Sequence, residues 1–182
     1  MRYFRLVDDV AILGRWHLGE AMRRETAAVD LCNGEPAANE PLSVAISRQG
    51  HPLEFTLTSF GVPIVTTRLA MKVDRVAHAD MQQILTSVDG STGYVALNVT
   101  RLVACVDEAR SEFVKWTSQD HRADLAGQYR AIHKLCLDSA NIPPDAHFFR
   151  VANWTVGIMI SDLFRETMVA ANCCGAKFLE LE

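Results

Sequence analysis

Apolar residues along this chain fall in short runs broken by Gly, Pro, Asn and Asp, the spacing of strands and turns with only a few helices between them. Residues 3–7 (YFRLV) read as a first strand, with Asp8-Asp9 as its turn. Residues 15–18 make a second extended piece bracketed by Gly14 and Gly19. From 22 to 41 the pattern weakens; Asn33-Gly34 and Pro36 mark turns, which predicts a loop with about one helical turn. Residues 42–47 (LSVAIS) and 53–58 (LEFTLT) both alternate apolar and polar across Gln49-Gly50-His51-Pro52, the signature of a hairpin. Gly61-Val62-Pro63 ends that pattern. Thr66 or Thr67 then caps a helix in which Leu69, Val73 and Val76 recur at helical spacing through Ala77.

Residues 81–88 (MQQILTSV) and 94–99 (YVALNV) are expected to pair across a loop at 89–93. Residues 102–106 form a short apolar run. Charges and small residues mix around Trp116 between 111 and 128, giving a loop with some helix, and 131–137 reads as extended. Asn141-Ile142-Pro143-Pro144 is a turn. Residues 147–151 and 156–160 (VGIMI) are strands; Ser161 caps a helix with Leu163, Phe164, Thr167, Met168 and Ala171 on one face. Gly175 stops it, and 176–181 closes the chain as a strand. The fold class expected is α+β: one domain over 1–182, mainly an antiparallel sheet with a few helices.

Composition changes this picture little. At 182 residues, with 49% hydrophobic and 22% charged residues, the chain can bury a sizeable core. A formal net charge of −4 argues against a nucleic-acid binder, which needs clustered Lys and Arg. No apolar run approaches a membrane span, and Asp8 and Asp9 interrupt what a signal peptide would require, so the expected location is the cytoplasm with no membrane partner. Cys32, Cys105, Cys136, Cys173 and Cys174 lack ligand spacing and read as reduced, mostly buried thiols.

Candidate chemistry is sparse. Phosphate-loop, dinucleotide, zincin and nucleophile-elbow motifs are absent, and the six histidines stand singly, so neither a metal nor a cofactor is expected. Ser161 reads as a helix cap and Ser111 as a turn or cap serine. Adjacent carboxylates, Asp8-Asp9 and Asp107-Glu108, point to opposite faces if extended. The most distinctive block is Gly14-Arg15-Trp16-His17-Leu18-Gly19-Glu20. Trp16 reads as a packing anchor, with Arg15 and His17 on the opposite face. Arg, Trp and nearby acids are also residue types of interface hot spots, which makes Asp8, Asp9, Arg15, Trp16, His17 and Glu20 the candidate partner-binding set. Residues alone assign no catalytic side chain.

Three blocks carry a resemblance: YFRLVDDV…GRWHLGE, GYVALNVTRLVACVDEARSEF, and HFFRVANW…GIMISDLFRETMVAANCCGAKFLELE. In order and spacing they resemble immunity proteins of bacterial polymorphic-toxin systems, nearest to the eleventh numbered immunity family, of the myxobacterial kin-discrimination type. The resemblance leaves 22–41 uncovered. It implies a cytoplasmic inhibitor without catalysis that binds and neutralises a cognate toxin domain, a nuclease in the type case. Electrostatic steering of a basic nuclease by an acidic inhibitor is the physical picture it suggests. The alternative is a small hydrolase-like enzyme with a loop-built site at His147 or His121 beside a carboxylate, and a third reading is a subunit of a larger assembly.

Overall fold

The computed structural model describes residues 1–23 and 27–181. Among these residues the strands are β1 (Tyr3–Asp8), β2 (His17–Arg23), β3 (Ala27–Ala28), β4 (Leu42–Arg48), β5 (Phe55–Leu57), β6 (Pro63–Thr66), β7 (Met81–Val88), β8 (Ser91–Val99), β9 (Leu102–Val103), β10 (Glu112–Lys115), β11 (Tyr129–Lys134), β12 (Phe148–Val151), β13 (Trp154–Ser161) and β14 (Ala176–Glu180). The helices are α1 (Thr67–Ala77) and α2 (Asp162–Ala170). Both begin as their sequences dictate. The Leu69 N–H donates to Thr66 Oγ1 at 3.3 Å, and the Phe164 N–H to Ser161 Oγ at 3.2 Å. Apolar residues at helical spacing then turn Leu69, Ala70, Val73 and Ala77 of α1, and Phe164 and Met168 of α2, into the core.

Strands assemble into two large sheets and a ribbon. One sheet runs β14-β1-β13-β12-β9, the other β3-β2-β4-β7-β8-β6-β5, and β10-β11 stand apart as a pair. The two sheets and both helices share a core that includes Phe4, Phe55, Leu69, Val95, Phe148, Ile158 and Phe164. Within it the Phe148 and Phe164 rings stack with centroids 4.8 Å apart. A second cluster, with Trp16, Leu18, Leu31, Val44, Val62 and Ile84, belongs to the larger sheet. A third lies between the smaller sheet and the ribbon, around Tyr3, Val103, Phe149 and Met159.

Several expectations give way here. The sheets are mixed, because β4 runs parallel to β7 and β9 parallel to β12. Residues 42–47 and 53–58 do not form a hairpin: β4 pairs with β2 and β7, and β5 pairs with β6. The turn at 89–93 shrinks to Asp89-Gly90, both left-handed (φ 44° and 77°), a geometry that suits a tight two-residue hairpin. Gly19 does not end the extended piece, since β2 continues to Arg23. β1 runs through Asp8, where a turn was expected. Residues 111–128 contribute β10, which pairs with β11.

The predicted loop at 22–41 includes residues 24–26, which lie outside the described ones; the rest is well anchored. Leu31 is fully buried. Gln82 brackets the Ala37 backbone, accepting its N–H at 2.9 Å and donating to its carbonyl at 2.8 Å. Asn98 donates to the Glu35 carbonyl at 2.9 Å.

Candidate partner-binding surface

The N-terminal block is built around one ion pair. Arg15 is 5% exposed, and its guanidinium meets Asp8 Oδ1 at 3.0 Å and donates to the Asp9 carbonyl at 2.9 Å. The same Asp8 oxygen accepts the Leu57 N–H at 2.9 Å, so one carboxylate ties β1 to β5 and to the 9–16 loop. Beside it the His51 N–H donates to the Gly14 carbonyl at 2.7 Å, and the Trp16 N–H returns to the His51 carbonyl at 3.1 Å. This approach needs Gly50: a Cβ there would sit 2.4 Å from the Arg15 carbonyl carbon.

Trp16, 4% exposed, sends its indole N–H to Thr56 Oγ1 at 2.8 Å and packs 5.6 Å from the Tyr94 ring. Of the six sequence candidates, Arg15 and Trp16 are therefore interior. Asp8 is held in the ion pair, Asp9 and His17 are half-buried, and Glu20 is exposed. Arg15 does not share an exposed face with His17, because the Asp8 carboxylate draws its side chain inward.

Exposure lies elsewhere in the same neighbourhood. The 9–16 loop carries Val10 and Leu13 at 76% and 92% exposed. Farther along β2 lies a cavity of about 410 Å³, lined by Glu20 of β2, by Val29, Leu31, Cys32 and Phe60 of connecting segments, by Val156 of β13 and by neighbours. Phe60 sits at the tip of a closed turn: Thr58 N–H donates to the Val62 carbonyl and Gly61 N–H to the Thr58 carbonyl, each at 2.9 Å. Ser59 ties this turn to β2 through the Gly19 and Leu18 carbonyls, at 3.2 and 3.1 Å. Cys32 Sγ donates to the Phe60 carbonyl at 3.1 Å.

Behind the cavity wall lies Arg150, fully buried. It donates to the Gly61 carbonyl at 2.8 Å and to the Thr155 carbonyl at 2.6 Å, next to the two exposed apolar residues Phe60 and Val156. Burial pulls this guanidinium below the ordinary arginine range, with Cys32 and Asp30 acting the other way. Burial likewise raises the Cys32 thiol, and Arg150 opposes that rise. Sequence reasoning missed Phe60, Val156 and Arg150. Phe60, an aromatic between Ser59 and Gly61 in a turn, was the one available signal; nothing in the pattern marks the other two.

The hydrolase-like alternative sets His147 or His121 beside a carboxylate; Asp80 meets His147 through its backbone N–H, at 2.7 Å, and not through its ring. His147 Nδ1 lies 2.9 Å from Ser161 Oγ, the spacing of a nucleophile and its base. Ser161 is fully buried, however, and its oxygen already accepts the Phe164 N–H at the start of α2. No substrate atom can reach it, and the pair secures a helix end. Ser111 is likewise a turn residue, accepting the Cys136 N–H at 2.9 Å and donating to the Cys136 carbonyl at 3.1 Å. His121 packs edge-on to Trp116, centroids 5.4 Å apart. Among the described residues no three His, Cys, Asp or Glu side chains converge as a metal site would require. All five cysteines are free; Cys105 and Cys136 are buried, Cys32 and Cys173 half-buried, and Cys174 exposed. Among the described residues no helix is long and apolar enough to cross a membrane.

What decides the affiliation is a match of residues 22–182 to the Immunity protein family (Imm11). The chain belongs to that family. Its immunity-family segment covers 22–41, where the sequence blocks showed no resemblance, and begins just after the Gly14–Glu20 block, one of those that carried the resemblance. Glu20 thus lies outside the matched residues, two positions before they begin, whereas Val29 to Cys32, Phe60 and Val156 fall inside them. No curated protein matches the chain.

Proposed function

We propose that this immunity-family protein binds the toxin domain of a cognate polymorphic toxin, a nuclease, in the cytoplasm and neutralises it by occupying a surface the toxin needs, without chemistry of its own. The observation that carries this reading is the Imm11 match over 22–182. The burial of Ser161, which among the described residues is the serine with a histidine ring at nucleophile–base distance, supports the non-catalytic part. A net charge of −4 favours a basic partner, through faster encounter more than tighter binding. Within the N-terminal block the contact residues we propose are Asp9, His17 and Glu20, held in place from beneath by Asp8, Arg15 and Trp16.

Co-expression tests this reading: the genes flanking this one are searched for a long protein ending in a toxin domain, and the chain is produced with that domain. Rescued growth and a stable complex on a sizing column are expected. Toxicity that this chain does not relieve overturns the reading.

A further inference from the structure

The cavity beside β2 has the anatomy of a docking cleft. Its rim carries two apolar side chains that the fold leaves in water, Phe60 at 65% and Val156 at 67% exposed. Both stand on restrained backbone. The Phe60 turn is tied to β2 by Ser59, to Cys32 by its thiol and to Arg150 through Gly61, while Arg150 also holds the Thr155 carbonyl next to Val156. One buried guanidinium therefore fixes the spacing of the two rim residues, and little conformational freedom remains to be lost when a partner seats there. The inner lining is apolar, with Val29, Leu31 and Val62. Two carboxylates, Glu20 and Asp30, also line the cavity, and both are exposed. Asp30 accepts the Cys32 N–H at 2.8 Å and feels the charge of the buried Arg150, and among the described residues neither acid has a salt-bridge partner within 4.0 Å.

We infer that this cavity receives the toxin: an apolar side chain of the partner inserts between Phe60 and Val156, and flanking Lys or Arg residues pair with Glu20 and Asp30. The inference rests on the immunity reading above and adds the location and the chemistry of the partner segment, apolar at its centre and basic at its edges. A buried apolar anchor supplies the affinity, and the rim carboxylates supply rate and salt dependence. Arg150 is a positioning residue, because it acts through the two carbonyls it holds.

The test titrates the purified full chain with the same toxin domain, carrying an inactivating substitution so that it can be produced alone. Phe60→Asp and Val156→Asp each place a charge where the partner's apolar residue sits. Each should weaken binding by about 50-fold or more, with thermal melting close to wild type because both sites are exposed. Glu20→Gln with Asp30→Asn should weaken it about 3- to 10-fold and flatten its salt dependence. Leu13→Asp, at the exposed tip of the 9–16 loop, should bind as wild type. If the wild-type chain binds and both Asp variants at 60 and 156 bind equally well, the cavity assignment is overturned and the immunity reading stands. If the wild-type chain does not bind, the immunity reading fails and the cavity assignment falls with it.

Discussion

Two short segments of this chain, residues 14–19 and residues 58–62, each set an aromatic residue close to glycine, and the fold treats them in opposite ways. Trp16 is 4% exposed, its N–H bonded to Thr56; Phe60 is 65% exposed, its backbone fixed by Cys32 and Arg150 through neighbouring atoms. The segment that stands out in the sequence, with its arginine, indole and imidazole, is largely interior. The plainer segment presents an apolar side chain to solvent beside an acidic rim. A buried indole with a bonded N–H stabilises the fold, whereas a large apolar group held rigid in water lowers its free energy most by meeting a partner. Conspicuous chemistry and available chemistry are different things.

Substitutions can break this contrast, and the largest effect belongs to the interior segment. Trp16→Ala should cost about 3–5 kcal/mol in urea unfolding, the range for removing a buried large aromatic. Asp8→Ala follows closely: it leaves Arg15, whose side chain is 3% exposed, without its carboxylate, and orphans the Leu57 N–H. A loss of about 3 kcal/mol is expected by the same measurement. Gly50→Ala should destabilise by about 1–3 kcal/mol, because its Cβ would sit 2.4 Å from the Arg15 carbonyl carbon. If these three variants melt as wild type, the structural assignment of the block is wrong. Phe60→Asp belongs at the other extreme, with stability changed by about 0.5 kcal/mol or less, as at ordinary surface sites.

The smallest effect is one of reactivity, and it refines the picture at the cavity itself. Burial raises the Cys32 thiol, so its alkylation in the folded protein should climb at a higher pH than that of a free thiol. Cys105, pushed up to about 12 and fully buried, should react only on unfolding. Mass spectrometry after iodoacetamide treatment across pH 7–10 reads both. Labelling of Cys32 at the rate of an unfolded control would contradict its placement in the cavity wall.

What could be read from the sequence was local. Short apolar or alternating runs between turn residues gave β1, β4, β7 and β8, helical spacing gave α1 and α2, and their capping threonine and serine stand where the sequence reading placed them. Pairing could not be read, because β4 reaches its parallel partner β7 across the intervening β5, β6 and α1, and alternation is the same whichever strand lies alongside. The segment at 22–41 looked unstructured because its order comes from the single contacts of Gln82 and Asn98 with its backbone, which leave no periodic trace. For the candidate surface, Glu20 was legible as an acid near an arginine and an indole. Phe60, Val156 and Arg150 converge from the β5–β6 turn, β13 and β12, so only the folded chain assembles them. Among the residues singled out first, Asp8, Arg15 and Trp16 drew notice by type, and type alone does not reveal which way a side chain points.

Amide hydrogen exchange of the protein, with and without its toxin domain, tests the central claim most directly. Protection on binding is expected at 17–20, 28–32, 58–62 and 155–157, with residues 10–16 unchanged. Protection confined to 10–16, with the cavity walls exchanging as in the free protein, would contradict the account.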